Sequence, residues 1–327
     1  MGTLDISLTR RALYAVAVIA VAGMAGPTAA SAEDTLKLAI GQRGLLDTSI
    51  SHLGQQAGIF KKHGLVLDLL YTQGGGETMQ AVISNSVDIG IAAGTGGVMA
   101  AYVKGAPLRI ISAQATGSAE FWYVPATSPI KTLADAKDKT IAYSTAGSST
   151  NSMALALAKQ YNPTLKLVAT GSPPSTLTQV MSGQVDIGWA SPPFGLKELD
   201  AGTIRMVAKA TDSLEVRDQT LRVNFTNLAA IEKKKDQLAR YLQGYRETID
   251  WIYSSPDFAK TYAAFAGIDE AAAKRIRDEF FPKALLNPDK VSGLDTVMAD
   301  AIAQKFITQP LTKDQLAELI QIPQPVK

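Results

Sequence analysis

The stretch that decides the fold is Val82-Ile83-Ser84-Asn85-Ser86-Val87-Asp88-Ile89-Gly90-Ile91-Ala92. The chain repeats its pattern 98 positions later, as Val180-Met181-Ser182-Gly183-Gln184-Val185-Asp186-Ile187-Gly188-Trp189-Ala190. This period exceeds the roughly 20 to 50 residues of a solenoid repeat. It predicts two lobes of similar construction, with a cleft between them where a small ligand binds.

Strand patterns alternate with helix patterns around both copies of the repeat. Such alternation predicts an α/β protein in which each lobe is a mostly parallel sheet flanked by helices. Asp88 and Asp186 precede the repeated strands, at the end opposite the cleft, so we expect them to act as caps. From Ala230 onward the apolar residues recur every three or four positions, which predicts a helical C-terminal cap on the first lobe.

The N-terminus has the features of a targeting segment. Arg10-Arg11 is followed by an apolar run over residues 12–25 and by the cleavage signal Ala30-Ser31-Ala32. These features predict a signal peptide over residues 1–32, cleaved after Ala32, with the Sec and twin-arginine routes both open. The chain has no cysteine, so neither a disulfide nor a lipid attachment is expected, and the predicted location is the periplasm.

Length and charge limit the remaining possibilities. At 327 residues the chain is longer than one hydrophobic core usually covers, which favours two domains. A net charge of +2 gives no electrostatic indication of a nucleic acid partner. We predict a first lobe over residues 33–117 and 225–327, a second lobe over residues 118–224, and a hinge near residues 114–121 and 212–223.

Four stretches carry a resemblance to a known family. They are Gly58-Ile59-Phe60-Lys61-Lys62-His63-Gly64-Leu65-Val66-Leu67; Gly74-Gly75-Gly76 with Met79-Gln80-Ala81 and Val87-Asp88-Ile89-Gly90; Ser128-Pro129-Ile130-Lys131-Thr132-Leu133-Ala134-Asp135-Ala136-Lys137-Asp138-Lys139; and Gly183-Gln184-Val185-Asp186. In order and spacing, the chain resembles the periplasmic solute-binding proteins of ABC importers. The similar branch handles nitrate, alkanesulfonates, taurine and thiamine-pyrimidine precursors. Asp138 and Ala136 depart from the family pattern, in a turn far from the expected cleft.

The resemblance implies a fold, a function and a partner. The fold is the two-lobed periplasmic binding protein fold of type II. The function is capture of a small organic anion between the lobes by hinge closure, as the substrate-binding component of an ABC importer. The implied partner is the permease in the inner membrane, and the protein is expected to be a monomer without cofactor or metal.

Candidate ligand contacts lie in the loops after the strands, because ligands bind beyond the carboxyl ends of strands in such sheets. Several of these loops open helices, whose N-terminal N–H groups can hold an anion. The expected contacts are Arg43, Gly75, Gly76, Thr95, Gly96, Thr116, Ser118, Ser148, Ser149, Thr150, Ser191 and Phe194. Ordinary helix capping is the alternative for the Gly, Ser and Thr positions.

Two charged residues have further expected roles. Arg43 is the best candidate for a direct ion pair with the ligand, and a solvated loop arginine is the alternative. Glu120, near the crossover between the lobes, is a candidate contact for a cationic group of the ligand.

Two other function classes remain open. The first is an enzyme of the same fold, of the type that makes pyrimidine precursors, and the second is a periplasmic sensor subunit that presents its ligand to a receptor. The chain has only two histidines, His52 and His63, and no sequence motif of nucleophilic, phosphate-binding or zinc chemistry. A binding protein without catalytic activity is therefore the favoured interpretation.

Overall fold

The computed structural model describes residues 33–213 and 216–323. The predicted signal peptide and its cleavage site lie outside the described residues, as do residues 214–215 of the predicted hinge. None of the described helices has both the length and the apolar character that crossing a bilayer requires.

The described residues form ten strands. In chain order they are β1 (Asp34–Gly41), β2 (Leu65–Thr72), β3 (Ile89–Gly94), β4 (Leu108–Thr116), β5 (Phe121–Pro125), β6 (Thr140–Tyr143), β7 (Lys166–Ala169), β8 (Gly188–Ala190), β9 (Ile204–Lys209) and β10 (Thr220–Asn227).

Twelve α-helices are present in the same residues. They are α1 (Ile50–Gln56), α2 (Ile59–Lys62), α3 (Gly75–Ile83), α4 (Thr95–Val103), α5 (Ser149–Tyr161), α6 (Pro173–Met181), α7 (Leu196–Asp200), α8 (Leu228–Ser254), α9 (Phe258–Ala266), α10 (Glu270–Arg275), α11 (Leu294–Ala303) and α12 (Lys313–Leu319). A π-helical turn, Ile276–Phe280, continues α10.

The first sheet has the strand order β2-β1-β3-β10-β4. The predicted parallel pairing is present where strands alternate with helices, since β1 runs parallel to both β2 and β3. β10 returns from the second lobe and inserts antiparallel between β3 and β4, which makes the sheet mixed. β10 pairs with this sheet from Thr220 onward, within the segment predicted for the second lobe, while Leu221 packs in the core of that lobe.

The second lobe contains two smaller sheets. Strands β8, β5 and β9 form an antiparallel sheet with β5 in the middle. Strands β6 and β7 pair in parallel, and an isolated bridge from Ile141 to Ile187 joins this pair to the segment before β8. The short β5 is the first strand after the chain leaves the first lobe, and both of its pairings are antiparallel.

The two copies of the repeat make equivalent hydrogen bonds. Asp88 accepts a bond from the backbone N–H of Lys37 at 2.8 Å, and Asp186 accepts one from the backbone N–H of Thr140 at 2.9 Å. Both aspartates therefore cap a neighbouring strand, as the sequence predicts.

A pair of threonines repeats in the same way. The hydroxyls of Thr72 and Thr78 lie 2.8 Å apart at the start of α3, and those of Thr170 and Thr176 lie 2.6 Å apart at the start of α6. The members of the two pairs are separated by the same 98 positions as the repeated stretch. The repeat in sequence is thus a repeat in local construction.

Helices bury both faces of the first sheet. On one face, Leu38 and Ile40 share a core with Leu242 of α8. On the other face, Ala39 shares a core with Val98 of α4, as the alternation of side chains along a strand requires. Helices α8 to α12 belong to these two cores, which confirms the predicted helical cap on the first lobe.

Candidate ligand-binding site

A small cavity lies where the carboxyl ends of β1, β2 and β3 face the loops of the second lobe. Its accessible volume is about 20 Å³, which corresponds to the space of roughly one water molecule. Both lobes contribute walls, through Gly75 and Gln42 on one side and Ser149 and Trp189 on the other. Glu120, from the crossover between the lobes, lines it as well.

Four of the predicted contacts meet at this cavity. Gly75 opens α3, while Ser148, Ser149 and Thr150 open α5. Ser148 is also the N-cap of α5, because its hydroxyl accepts a bond from the backbone N–H of Asn151 at 3.2 Å. Ser148 therefore both caps α5 and lines the cavity. Both helices direct their N-termini, with the partial positive charge of the helix dipole, toward the same space.

Three predicted contacts border the cavity. The backbone N–H of Gly76 donates a hydrogen bond across the lobes to Oγ1 of Thr145 at 3.0 Å. The hydroxyl of Ser118 donates to the carboxylate of Glu120. Ser191 follows Trp189 after β8, and its buried Oγ has no hydrogen-bond partner in the described residues.

The remaining predicted contacts in the loops lie elsewhere. Thr95 and Gly96 line a separate cavity of about 20 Å³, and the hydroxyl of Thr95 donates to the carbonyl of Thr220 at 2.5 Å. The hydroxyl of Thr116 pairs with that of Thr220 at 2.9 Å. Phe194 lines a neighbouring cavity of about 300 Å³ between α6 and the segment that follows α9.

Arg43 does not join the cavity. It is exposed, and its guanidinium carbon lies 4.9 Å from the ring centroid of Phe265 and 5.7 Å from that of Tyr71. Together with His52 and Lys260 it lines an outer groove of the first lobe. Its loop lies at the carboxyl end of β1 as predicted, but the side chain packs on aromatic rings instead of facing the other lobe.

A buried ionic cluster reaches the cavity through Glu120 and Arg222, which line it. Arg222 of β10 lies between Glu120, to which its Nη1 donates, and Asp47, whose Oδ2 is 2.6 Å from Nη2. Gln114 links Asp47 to Arg222. Its side-chain amide donates to Asp47 at 3.0 Å, and its side-chain oxygen accepts from Arg222 at 3.1 Å. Asp47 is 0% exposed, Glu120 1% and Arg222 4%. The cluster therefore holds two acidic groups and one guanidinium away from water.

Burial acts in opposite directions on these groups. Burial raises the pKa of Glu120 above its ordinary value, and Arg222 only partly offsets this effect. Burial alone would lower the pKa of Arg222, but Asp47 and Glu120 raise it, so the guanidinium stays charged. Arg222 was not predicted as a site residue. A charged residue between Leu221 and Val223 in a strand could have indicated it, because a buried charge requires a partner.

Several buried polar atoms of the cluster and cavity have no partner within the described residues. They include Nε1 of Trp189, Oε1 of Gln42 and Nη2 of Arg222. Nη2 of Arg222 is near Asp47 but outside hydrogen-bonding geometry with it. Buried polar groups are normally satisfied, so unpartnered donors at a cavity indicate a ligand that accepts hydrogen bonds.

The two lobes meet closely beside the cavity. A Cβ placed on Gly94 would lie 2.7 Å from the carbonyl oxygen of Gly147, and one on Gly74 would lie 2.7 Å from Oγ1 of Thr145. Only glycine leaves room for these approaches, so the lobes are in a closed arrangement.

The segments that cross between the lobes run beside each other. The backbone N–H of Gly117 donates to the carbonyl of Gln219 at 2.8 Å, and that of Ala210 donates to the carbonyl of Glu120 at 2.9 Å. Glu120 therefore belongs to the crossover through its backbone and to the cavity through its side chain.

We expect the Trp189→Phe variant to fold and to bind its ligand about 10-fold or more weakly. The indole N–H of Trp189 has no partner, and a hydrogen bond to a charged acceptor contributes about 1.5 to 3 kcal/mol. Trp122→Phe is the matched control, because its N–H donates to the carbonyl of Ala142 at 2.9 Å. The control should lower the melting temperature and leave the dissociation constant unchanged. Equal affinities for Trp189→Phe and the parent in calorimetry would exclude this donor from the site.

The two lobes and the cavity between them have the fold of the two-lobed periplasmic binding proteins. The chain belongs to the NMT1/THI5 like family, whose model matches residues 49–259. A search of curated proteins found no significant match.

Solved structures with the same fold include binding proteins and one enzyme. The alkanesulfonate-binding protein SsuA from Xanthomonas axonopodis pv. citri, bound to MOPS, has a TM-score of 0.69 and 18% identity, over 88% of this chain and 98% of that one. The nitrate-binding protein NrtA from Synechocystis PCC 6803 has a TM-score of 0.65 and 12% identity, over 87% and 84%. The desulfurization enzyme DSZB has a TM-score of 0.58 and 15% identity, over 86% and 96%.

Proposed function

We propose that this protein is the periplasmic substrate-binding component of an ABC importer and that it captures a small organic anion between its two lobes. The observation that carries the proposal is the cavity, where the N-termini of α3 and α5 converge with the unpartnered indole N–H of Trp189. Backbone N–H groups and hydroxyls of this kind hold an anion with few charged side chains. The signal peptide over residues 1–32 would deliver the chain to the periplasm.

Binding would proceed by hinge closure. The hinge would comprise the crossovers near residues 114–121 and 212–223, whose backbones are hydrogen-bonded to each other. The open form would admit the ligand, and contacts from both lobes would favour the closed form. The permease of the importer would then recognise the closed arrangement of a monomer.

A thermal-shift screen of residues 33–327 tests this function. We expect one chemical class among nitrate, alkyl and aryl sulfonates, aromatic carboxylates and pyrimidines to raise the melting temperature. A ligand at 100 times its dissociation constant adds about 2.7 kcal/mol, which corresponds to roughly 5 °C or more. The protein must first be unfolded and refolded to remove carried-over ligand. The absence of a shift with every compound would contradict the proposal.

An enzyme is the second candidate function, because the desulfurization enzyme DSZB shares the fold. Neither histidine lines the cavity, and Glu120 is a buried group there that could exchange a proton. No group of His, Asp or Glu in the described residues is arranged to hold a metal ion. A bound ligand recovered unchanged in mass spectrometry after long incubation would support the binding protein, whereas a product would support the enzyme.

A further inference from the structure

The cavity poses an electrostatic problem for an anionic ligand. Glu120 and Arg222 line it, and Asp47 pairs with the same guanidinium from behind, so the cluster has two carboxyl groups but only one guanidinium. With both carboxylates ionised the cluster has an excess negative charge, and Glu120 itself lines the space that the ligand would enter. An anion placed there would be repelled at short range in a medium that screens little.

Within the described part of the chain, no other charged group near Glu120 compensates for this excess. Arg222 comes from β10, Asp47 from the loop between β1 and α1, and Gln114 from β4 is neutral. Tyr245 of α8 also faces Arg222 and Asp47, but burial raises the pKa of its hydroxyl, so it stays neutral. The simplest way to reach neutrality is a proton on one carboxyl group.

Glu120 is the carboxyl group suited to hold that proton. Asp47 lies against the guanidinium of Arg222, receives an amide hydrogen bond from Gln114 and does not line the cavity, whereas Glu120 does. The second oxygen of Glu120 is bonded to the hydroxyl of Ser118, and a hydroxyl can accept as well as donate. A protonated Glu120 could therefore donate to Ser118 while Arg222 continues to donate to its other oxygen.

We infer that the cavity takes up one proton with each anion it binds, and that Glu120 holds this proton in the complex. The inference rests on the proposed function. The proton comes from solvent and adds to a carboxylate oxygen of Glu120, so an anion and a proton enter together and the site gains no net charge. The raised pKa of Glu120 in the free protein lowers the cost of this uptake.

The sign of the pH dependence follows from linkage. If Glu120 is ionised in the free protein and protonated in the complex, affinity falls as the pH rises. The fall is tenfold per pH unit between the pKa of Glu120 in the free protein and its higher pKa in the complex. Below the lower of these pKa values the affinity is constant, because the proton is already bound.

Isothermal titration calorimetry tests the inference with methanesulfonate, benzenesulfonate and benzoate as probes. Titrations of the wild type in two buffers of different ionisation enthalpy, neither a sulfonate, should give uptake of about one proton per anion at the pH where the slope appears. Glu120→Gln should bind the same probe without proton uptake and without a pH slope. Asp68→Asn is the control, because it removes an exposed carboxylate on β2. This variant should retain both the proton uptake and the pH dependence of the affinity.

Two outcomes separate the possible failures. Binding of a probe by the wild type with no proton uptake from pH 5 to pH 9 would overturn the inference and leave the binding function intact. Failure of all three probes to bind would contradict anion capture itself, and the inference would fall with it. Because the buffer comparison uses the wild type, the result does not depend on the folding of Glu120→Gln.

Discussion

The Gly97→Ala variant is expected to bind its ligand about 10-fold to 100-fold more weakly while remaining as stable as the parent. A Cβ on Gly97 would lie 2.2 Å from the carbonyl oxygen of Gly147 in the opposite lobe. Backbone cannot yield to such a contact, so closure would cost about 1 to 3 kcal/mol. Affinity falls by the same factor as the population of the closed form. Within one lobe the change is favourable, because alanine suits the interior of α4 better than glycine.

Gly96→Ala is the matched control for this prediction. It changes the neighbouring residue of the same helix, but its Cβ would meet only Ala301 and Phe306, at 3.6 and 3.7 Å. We therefore expect unchanged affinity and unchanged closure. The cysteine-free chain allows fluorophores at Asp68→Cys and Lys137→Cys, which lie exposed in opposite lobes. Normal ligand-induced closure in Gly97→Ala by energy transfer would contradict the prediction.

The sequence was most informative where a pattern repeats or alternates. The spacing of apolar residues predicted the strands and the helical cap, because burial enforces these periods. The match of two stretches 98 positions apart predicted the repeat. The alternation of strands and helices also indicated the loops that open α3 and α5 as candidate ligand contacts, because ligands of such sheets bind at the carboxyl ends of strands. Gly75, Ser148, Ser149 and Thr150 accordingly meet at one cavity.

The sequence was less informative about which side chains face that cavity. Arg43 is in a loop at the predicted edge of the sheet, the carboxyl end of β1. Its side chain packs on aromatic rings of α9 and β2 at the outer surface. Asp47 precedes Glu120 by more than 70 residues, and Glu120 precedes Arg222 by 102. Only the tertiary fold brings the three side chains together. Pairing of buried charges over such distances has no local pattern. The antiparallel insertion of β10 that places Arg222 there also depends on the return of the chain from the second lobe.

Arg222→Met is expected to destabilise the protein by about 3 to 5 kcal/mol near neutral pH, with a fall of the melting temperature on the order of 10 °C. Methionine fills similar space but leaves Asp47 and Glu120 buried without a cation. Removing one partner of a buried ion pair costs far more than the pair itself contributes, because the remaining charges stay desolvated. Arg275→Met is the control. Arg275 pairs with Asp200 and Glu279 in solvent, where such pairs contribute about 0 to 1 kcal/mol.

Acid should reduce the difference between Arg222→Met and the wild type. Burial raises the folded-state pKa of Glu120 above its ordinary value, and without the guanidinium the opposing effect of Arg222 is lost. Stability that depends on such a group is present below the unfolded pKa and is lost as the pH rises through the folded pKa. In urea unfolding, the difference in unfolding free energy between the wild type and Arg222→Met should therefore become smaller from pH 8 to pH 5. The triple variant that adds Asp47→Asn and Glu120→Gln should recover most of the loss, because amides need no cation. A gap that is independent of pH and is not restored in the triple variant would mean that Arg222 stabilises β10 through packing rather than through its charge.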